Sequence, residues 1–194
     1  MRIAVDIDGV LLDLIRDFCI IFNKQFNTSY RDIDVRNWNF FKDWNVSFDS
    51  IAPIFKVLHE NPSQTKLIDM NARKVLKLLN RNYQVEFLTA RERKTKNALM
   101  ERLNSLKIFK GSHYEKIKIA PISPSDAKLQ YDYDVFIDDN PNLANSIVGQ
   151  EGKILLLYNQ PWNQTIRNNK NVIRVKNWEE IWKYFQNLKN CNQT

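Results

Sequence analysis

Residues 5–10 read VDIDGV, a short apolar pattern that ends in two carboxylates and a glycine. The run begins at Ile3, and Leu11, Leu14, Phe18, Ile21 and Phe22 follow it at helical spacing. That predicts a buried strand feeding a helix, with Asp6 and Asp8 at the strand's carboxyl end. The alternation returns along the chain. Strand-like runs occupy Tyr83 to Thr89, Lys116 to Ala120, Tyr133 to Asp138, Lys153 to Tyr158 and Val172 to Val175. Helical patterns run through Val75 to Leu79, Glu92 to Leu106, Asn142 to Val148 and Trp178 to Leu188. Strands that alternate with helices in this way call for a parallel sheet covered by helices on both faces. The expected class is α/β, a doubly wound parallel sheet.

The stretch 13–65 departs from this pattern. It holds no buried-strand run but ten of the chain's aromatics, among them Trp38, Phe40, Phe41, Trp44 and Phe48. It reads as a small helical cap inserted after the first strand, leaving 1–12 and 66–194 as the core. Asp13 is the expected N-cap of the first helix. Phe18, Phe22 and Phe26, at helical spacing, read as the cap's own core, while Trp38, Phe41 and Trp44 are the candidates for stacking on a ligand. His59 and His113 stand isolated and carry no expected role.

With 43% hydrophobic and 26% charged residues the composition is that of a folded globular protein rather than a disordered or fibrous one. No apolar stretch is long enough to span a membrane and no leader pattern precedes Ile3, so the expected compartment is the cytoplasm. Cys19 and Cys191, one in a helical pattern and one in a polar tail, make no disulfide framework. The net charge is +7, and nine basic against three acidic residues lie between Arg91 and Lys118. A basic field of that kind attracts phosphorylated ligands, mononucleotide or nucleic acid; a solvated helix face is the plainer reading of each lysine. The stretch 13–65 is close to neutral, with six basic and seven acidic residues.

Four features fall in order near the predicted strand ends: Asp6 and Asp8, Thr89, Lys128, then Asp138 and Asp139. Each has an ordinary reading, since Asp-Gly favours turns and Asp138 to Pro141 can be a turn with a helix cap. Together they form a carboxylate cluster that needs a compensating cation. Magnesium takes hard oxygen ligands and bridges them to a phosphate. An aspartate can then act as nucleophile, and a second carboxyl two residues on can move protons. Gly9 permits close backbone approach. Thr89 offers a hydroxyl and Lys128 a point charge for phosphate oxygens.

VDIDGV, FLTAR, Lys128 and FIDDNP resemble the four motifs of the haloacid dehalogenase superfamily. The spacing of Lys128 to the Asp pair, the insertion after the first motif and the later YNQPWN at Tyr158 to Asn163 are similar to the 5'(3')-deoxyribonucleotidase branch. The resemblance covers nearly the whole chain. It implies Asp6 as nucleophile, Asp8 as general acid and base, and Thr89 and Lys128 as phosphate anchors. It further implies magnesium held by Asp6, the Asp8 backbone carbonyl and Asp138, with Asp139 in support. Ala90 and Arg91, expected with Gly9 to contact substrate, are closer to polynucleotide-end-processing members. The leading expectation is a cytoplasmic 5'-nucleotidase acting on (deoxy)ribonucleoside monophosphates. The alternatives are a 3'-phosphatase of nucleic-acid ends and a non-enzymatic, basic nucleic-acid-binding domain.

Overall fold

The computed structural model describes residues 1–191, Cys191 by its backbone alone. Its strands are β1 (Arg2–Val5), β2 (Gln84–Thr89), β3 (Lys116–Ile119), β4 (Val135–Asp138), β5 (Ile154–Tyr158) and β6 (Val172–Val175). They form one sheet in the order β3-β2-β1-β4-β5-β6, every pairing parallel. The helices are α1 (Leu14–Phe26), α2 (Phe40–Asp43), α3 (Phe48–Glu60), α4 (Ala72–Asn82), α5 (Lys96–Ser105), α6 (Pro141–Ser146) and α7 (Trp178–Cys191). The expected α/β class is therefore the one found. The chain builds outward from β1 through β2 to β3, then returns to start β4 on the other side of β1. Strand order reverses between β1 and β4, and open α/β sheets bind ligands beyond the carboxyl ends of the strands at such a reversal.

Alternate residues of each strand serve opposite faces. Ile3, Val5 and Phe87 pack on one face with Val75, Leu76 and Leu79 of α4 and with Trp178, Ile181 and Phe185 of α7. Ala4, Leu88, Phe136, Leu155 and Leu157 serve the other, with Leu143 and Ala144 of α6. Burial on both sides explains why β1, β4 and β5 read as apolar runs.

The chain leaves and re-enters this core at one place. Leu12 bridges Leu67 antiparallel, the Asp13 amide donates to the Lys66 carbonyl at 2.9 Å and the Ile68 amide to Leu11 at 3.0 Å. Between these points α1, α2 and α3 enclose a separate apolar cluster of Leu14, Phe18, Phe22, Phe40, Trp44, Ile51, Ile54 and Leu58. Phe18 stacks on Phe55 with centroids 4.6 Å apart, and Phe22 on Phe26 at 4.4 Å. One member of the cluster, Trp162, comes from a 3-10 turn (Pro161–Asn163) just after β5.

Two local expectations change. Asp13 precedes α1 but makes no side-chain capping bond, its ψ of 63° lying outside the extended region from which a cap reaches back. The helix expected from Glu92 begins as a 3-10 turn over Arg93–Thr95 and becomes α-helical only at Lys96. Among the described residues no helix is long and apolar enough to cross a membrane. Cys19 is buried and free, while the Cys191 side chain lies outside the described residues.

Candidate active site

Asp6 follows β1 directly, its amide still donating to the Ile137 carbonyl of β4 at 2.9 Å. The backbone then folds sharply, with the amides of Leu11 and Leu12 both donating to the Ile7 carbonyl. Gly9 sits in that fold at φ 81°, and a Cβ there would lie 2.0 Å from Asp139 Oδ2. Both the left-handed conformation and the close approach require glycine. Asp138 closes β4, and its Oδ1 accepts from the Asn140 amide at 3.0 Å. Asn140 then caps α6 by accepting from the Asn142 amide at 2.9 Å, with Pro141 opening the helix. The plain turn-and-cap reading thus holds for Asp138, Asn140 and Pro141, while the second oxygen of Asp138 is turned to Lys128.

Lys128, buried on a 3-10 turn (Ala127–Gln130), joins the two strand ends. Its Nζ donates to Asp138 Oδ2 at 2.6 Å and lies 2.8 Å from Asp6 Oδ2. Oxygens of Asp6, Asp138 and Asp139 all come within 4.8 Å of one another. Burial pushes the Asp6 carboxyl up; Lys128 opposes this, Asp138 and Asp8 reinforce it, and the group ends at about 7. Burial, then the charges of Asp138 and Asp6, holds Asp139 well above the ordinary carboxylate range. Burial alone would lower Lys128, but the carboxylates of Asp138 and Asp6 outweigh it and hold its ammonium more firmly protonated than usual.

Three carboxylates face one ammonium, so two negative charges are uncompensated when all are ionised. Asp139 Oδ1 is buried with no hydrogen-bond partner. A divalent cation with its water fits both the charge and the orphaned acceptor. Thr89 ends β2, opposite Ile119 of β3, with its side chain buried, and Ala90 beside it is half-buried.

Arg91 meets the site through Asp8. Its guanidinium grips the Asp8 carboxylate from two nitrogens, Nε donating to Oδ2 at 2.7 Å and Nη2 to Oδ1. Nη1 is buried and unpartnered. His59, isolated in sequence, is brought by the end of α3 to 3.4 Å from Asp8 Oδ2. Burial raises the Asp8 carboxyl, but the Arg91 charge together with hydrogen bonds from His59 and Arg91 overcomes it and holds the group below the usual range.

The segment Asn159–Asn163 supplies contacts that no sequence signal assigns. Gln160 Nε2 donates to the Gly9 carbonyl at 2.6 Å, Trp162 Nε1 to Asp139 Oδ2 at 3.0 Å and Asn163 Nδ2 to the Asp139 carbonyl at 2.9 Å. Arg174, which no sequence signal marks, backs Asn163 at 2.7 Å.

The aromatic candidates divide. Trp44 is only 9% exposed, its ring stacked on Tyr30 with centroids 3.9 Å apart, so it belongs to the insertion's core rather than to a stacking platform. Phe41 is half-buried at the edge of that core, against Phe48. Trp38 is 40% exposed. The basic segment divides as well. Arg91 is on Asp8, Lys94 on Glu60 and Glu92, Arg102 on the Thr65 carbonyl and Lys118 on Glu86. Of the rest, Lys116 stands at the start of β3 and Lys107 and Lys110 in the loop leading to it, at the opposite end of the sheet from Asp6. Only Arg93 and Lys96 remain exposed near the carboxyl end of β2.

Comparison with known proteins places the chain in a family. Residues 1–190 match the family described as 5' nucleotidase, deoxy (pyrimidine), cytosolic type C protein. The chain is 27% identical to nucleotidase CA_C3379 of Clostridium acetobutylicum, over 94% of this chain and 92% of that protein. It is 25% identical to the 5'(3')-deoxyribonucleotidase of Bacillus subtilis, over 92% and 95%. Its fold is similar to that of the L-2-haloacid dehalogenase of Xanthobacter autotrophicus, with a TM-score of 0.59, 8% identity and coverage of 95% and 98%. The chain belongs to the cytosolic type C 5'-nucleotidase family and is a phosphatase.

Proposed function

We propose that the chain is a cytoplasmic, magnesium-dependent 5'-nucleotidase that hydrolyses (deoxy)ribonucleoside monophosphates through a phosphoryl group carried on Asp6. The observation that supports this most is the buried Lys128 bridge between Asp6 and Asp138 at the β1–β4 reversal, beside the unpartnered oxygen of Asp139. Asp6, the Asp8 backbone carbonyl and Asp138 would hold the cation, with Asp139 in support. Bound magnesium neutralises the carboxylates and polarises the phosphoryl group.

An Asp6 oxygen attacks phosphorus in line with the ester oxygen, and the phosphorus–ester bond breaks. The departing nucleoside oxygen takes its proton from Asp8. Asp8 then removes a proton from water, which attacks the same phosphorus and breaks the Asp6–phosphorus bond, releasing inorganic phosphate. Arg91 and His59 favour the ionised form of Asp8, the form the second step uses; for the first step Asp8 takes up a proton from solvent and passes it to the ester oxygen as that oxygen departs, and the proton gained from water in the second step returns to solvent. Lys128 and Thr89 stabilise the non-bridging oxygens. Ala90 leaves the phosphate room, while Gly9 makes space for the Asp139 carboxylate. In this reading residues 13–65 are a cap over the site, and Trp38 and Phe41 are its candidates for contacting the base.

The test is phosphate release from nucleoside 5'-monophosphates, sugar phosphates and 3'-phosphorylated oligonucleotides, with and without magnesium. Turnover of nucleoside monophosphates only with the metal, abolished in Asp6→Asn, is expected. Metal-independent turnover, or full activity of Asp6→Asn, would refute the mechanism.

A further inference from the structure

The contacts of the Asn159–Asn163 segment form a bracket. Gln160 holds the backbone carbonyl of Gly9 in the first motif, while Asn163 and Trp162 hold Asp139 by its carbonyl and its carboxylate. Asn163 is itself fixed from behind by Arg174 and by its bond to the Tyr158 carbonyl at 2.8 Å. The loops after β1 and β4 are thereby tied together by side chains from beyond β5.

Trp162 is the unusual member. Its ring is 7% exposed and belongs to the apolar cluster formed by α1, α2 and α3, yet its indole N–H points to a carboxylate of the acidic triad. Asp139 Oδ2 takes that hydrogen bond and Oδ1 takes none. One oxygen is anchored and the other is left presented. An indole is a donor only and cannot compete as a ligand.

We infer that Trp162 is a positioning residue for the cation site: its N–H orients Asp139 so that Oδ1 serves the cation or its water. Because its ring is embedded in the insertion's core, it also couples cation binding to the order of the insertion. The inference rests on the reading of Asp6, Asp138 and Asp139 as a divalent-cation site. Groups that orient metal-binding side chains in this way typically change affinity by about 10- to 100-fold when lost. The coupling is reciprocal: if the seated insertion favours the cation, the cation must favour the seated insertion.

Isothermal titration of the metal-free protein with magnesium chloride tests the first part. Trp162→Phe keeps an aromatic ring in the cluster and removes the donor, and its magnesium dissociation constant should rise about 10-fold. Trp178→Phe is the control: it deletes another buried indole bond, Trp178 Nε1 to the Val10 carbonyl at 3.1 Å, and should lower the melting temperature without moving that constant. In an Asp139→Asn background the Trp162→Phe change should have no further effect. If Trp162→Phe fails to fold, Trp162→Met replaces it. Hydrogen exchange tests the second part: magnesium should slow exchange in α1 and α3 of the wild type and not of Trp162→Phe.

Wild-type affinity in Trp162→Phe, or equal weakening in Trp178→Phe, overturns the positioning role while leaving the cation site standing. Exchange in α1 and α3 indifferent to magnesium in the wild type overturns the coupling. A wild-type protein that binds no magnesium overturns the cation reading, and this inference with it.

Discussion

Arg91 and Asp8 form a two-pronged ion pair in which the arginine side chain is wholly buried and the aspartate is 20% exposed. The pair ties the loop after β2 to the loop after β1, and His59 closes on the same carboxylate from the insertion. Removing the arginine leaves a largely desolvated carboxylate without its charge partner. Arg91→Ala should therefore cost on the order of 3 kcal/mol of stability. The loss should be smaller by roughly 0.5 to 3 kcal/mol when Asp8 is already Asn, as expected of residues in contact. Denaturant unfolding of the four proteins in the cycle measures it. Additive losses would mean that the contact contributes nothing. Arg91→Lys should not restore the wild-type value, because a point charge cannot reproduce the fork.

The opposed shifts of Asp6 and Asp8 give the metal-free protein a distinctive pH response. Asp6 is pushed up to about 7 from an ordinary 3.8. Between those values the folded protein keeps a proton that the unfolded chain has released, so this contribution to stability is lost as the pH rises through the window. Asp8 is shifted the other way, so its contribution is present above pH ~4 and is lost as the pH falls further. In chelator the melting temperature should be higher near pH 5 than near pH 8. Magnesium should raise it more at pH 8, where protons no longer compete for Asp6. A metal effect equal at the two pH values would contradict the raised Asp6.

Gly9 offers a sharper steric test. Its φ of 81° disfavours any side chain, and the Asp139 carboxylate occupies the space a Cβ would need. Gly9→Ala should destabilise the fold by more than about 1 kcal/mol and should also displace Asp139. Phosphatase activity and magnesium affinity should fall together. Full activity with only a lower melting temperature would show that the loop relaxes away from the site.

The sequence already displays the strands and the residues at their ends, and the reason is physical. Strands buried on both faces are uninterrupted apolar runs, so a carboxylate or lysine beside one stands out: Asp6 after β1 and Asp138 closing β4 are visible in this way. What stays hidden are partners set by tertiary approach. His59 looks isolated because the end of α3 meets Asp8 only after the insertion has folded back. A charge beside a motif, such as Arg91, reads as a substrate contact when an internal carboxylate is the nearer partner. Trp38 and Trp44 differ little by pattern, and only packing against Tyr30 and Phe40 makes the second a core residue. Trp162 was legible as part of YNQPWN but not its dual attachment, which needs β5 beside β4.

The distribution of basic side chains separates a mononucleotide from a nucleic-acid end. Each phosphate contact on a single strand steepens the salt dependence of affinity by a log–log slope of about 0.7. Of the lysines and arginines between 91 and 118, Arg91, Lys94, Arg102 and Lys118 are committed to partners within the protein, and Lys107, Lys110 and Lys116 lie at the far end of the sheet. That leaves Arg93 and Lys96, too few for a long polyanion track. The kcat/KM for a nucleoside 5'-monophosphate should exceed that for a 3'-phosphorylated oligonucleotide and should vary only modestly across a salt series. Lys96→Glu should change it by less than about threefold, since an exposed charge near the site acts mainly through a screened field. Preference for the oligonucleotide, with a slope steeper than two contacts can give and its loss in Lys96→Glu, would transfer the same phosphatase chemistry to nucleic-acid ends.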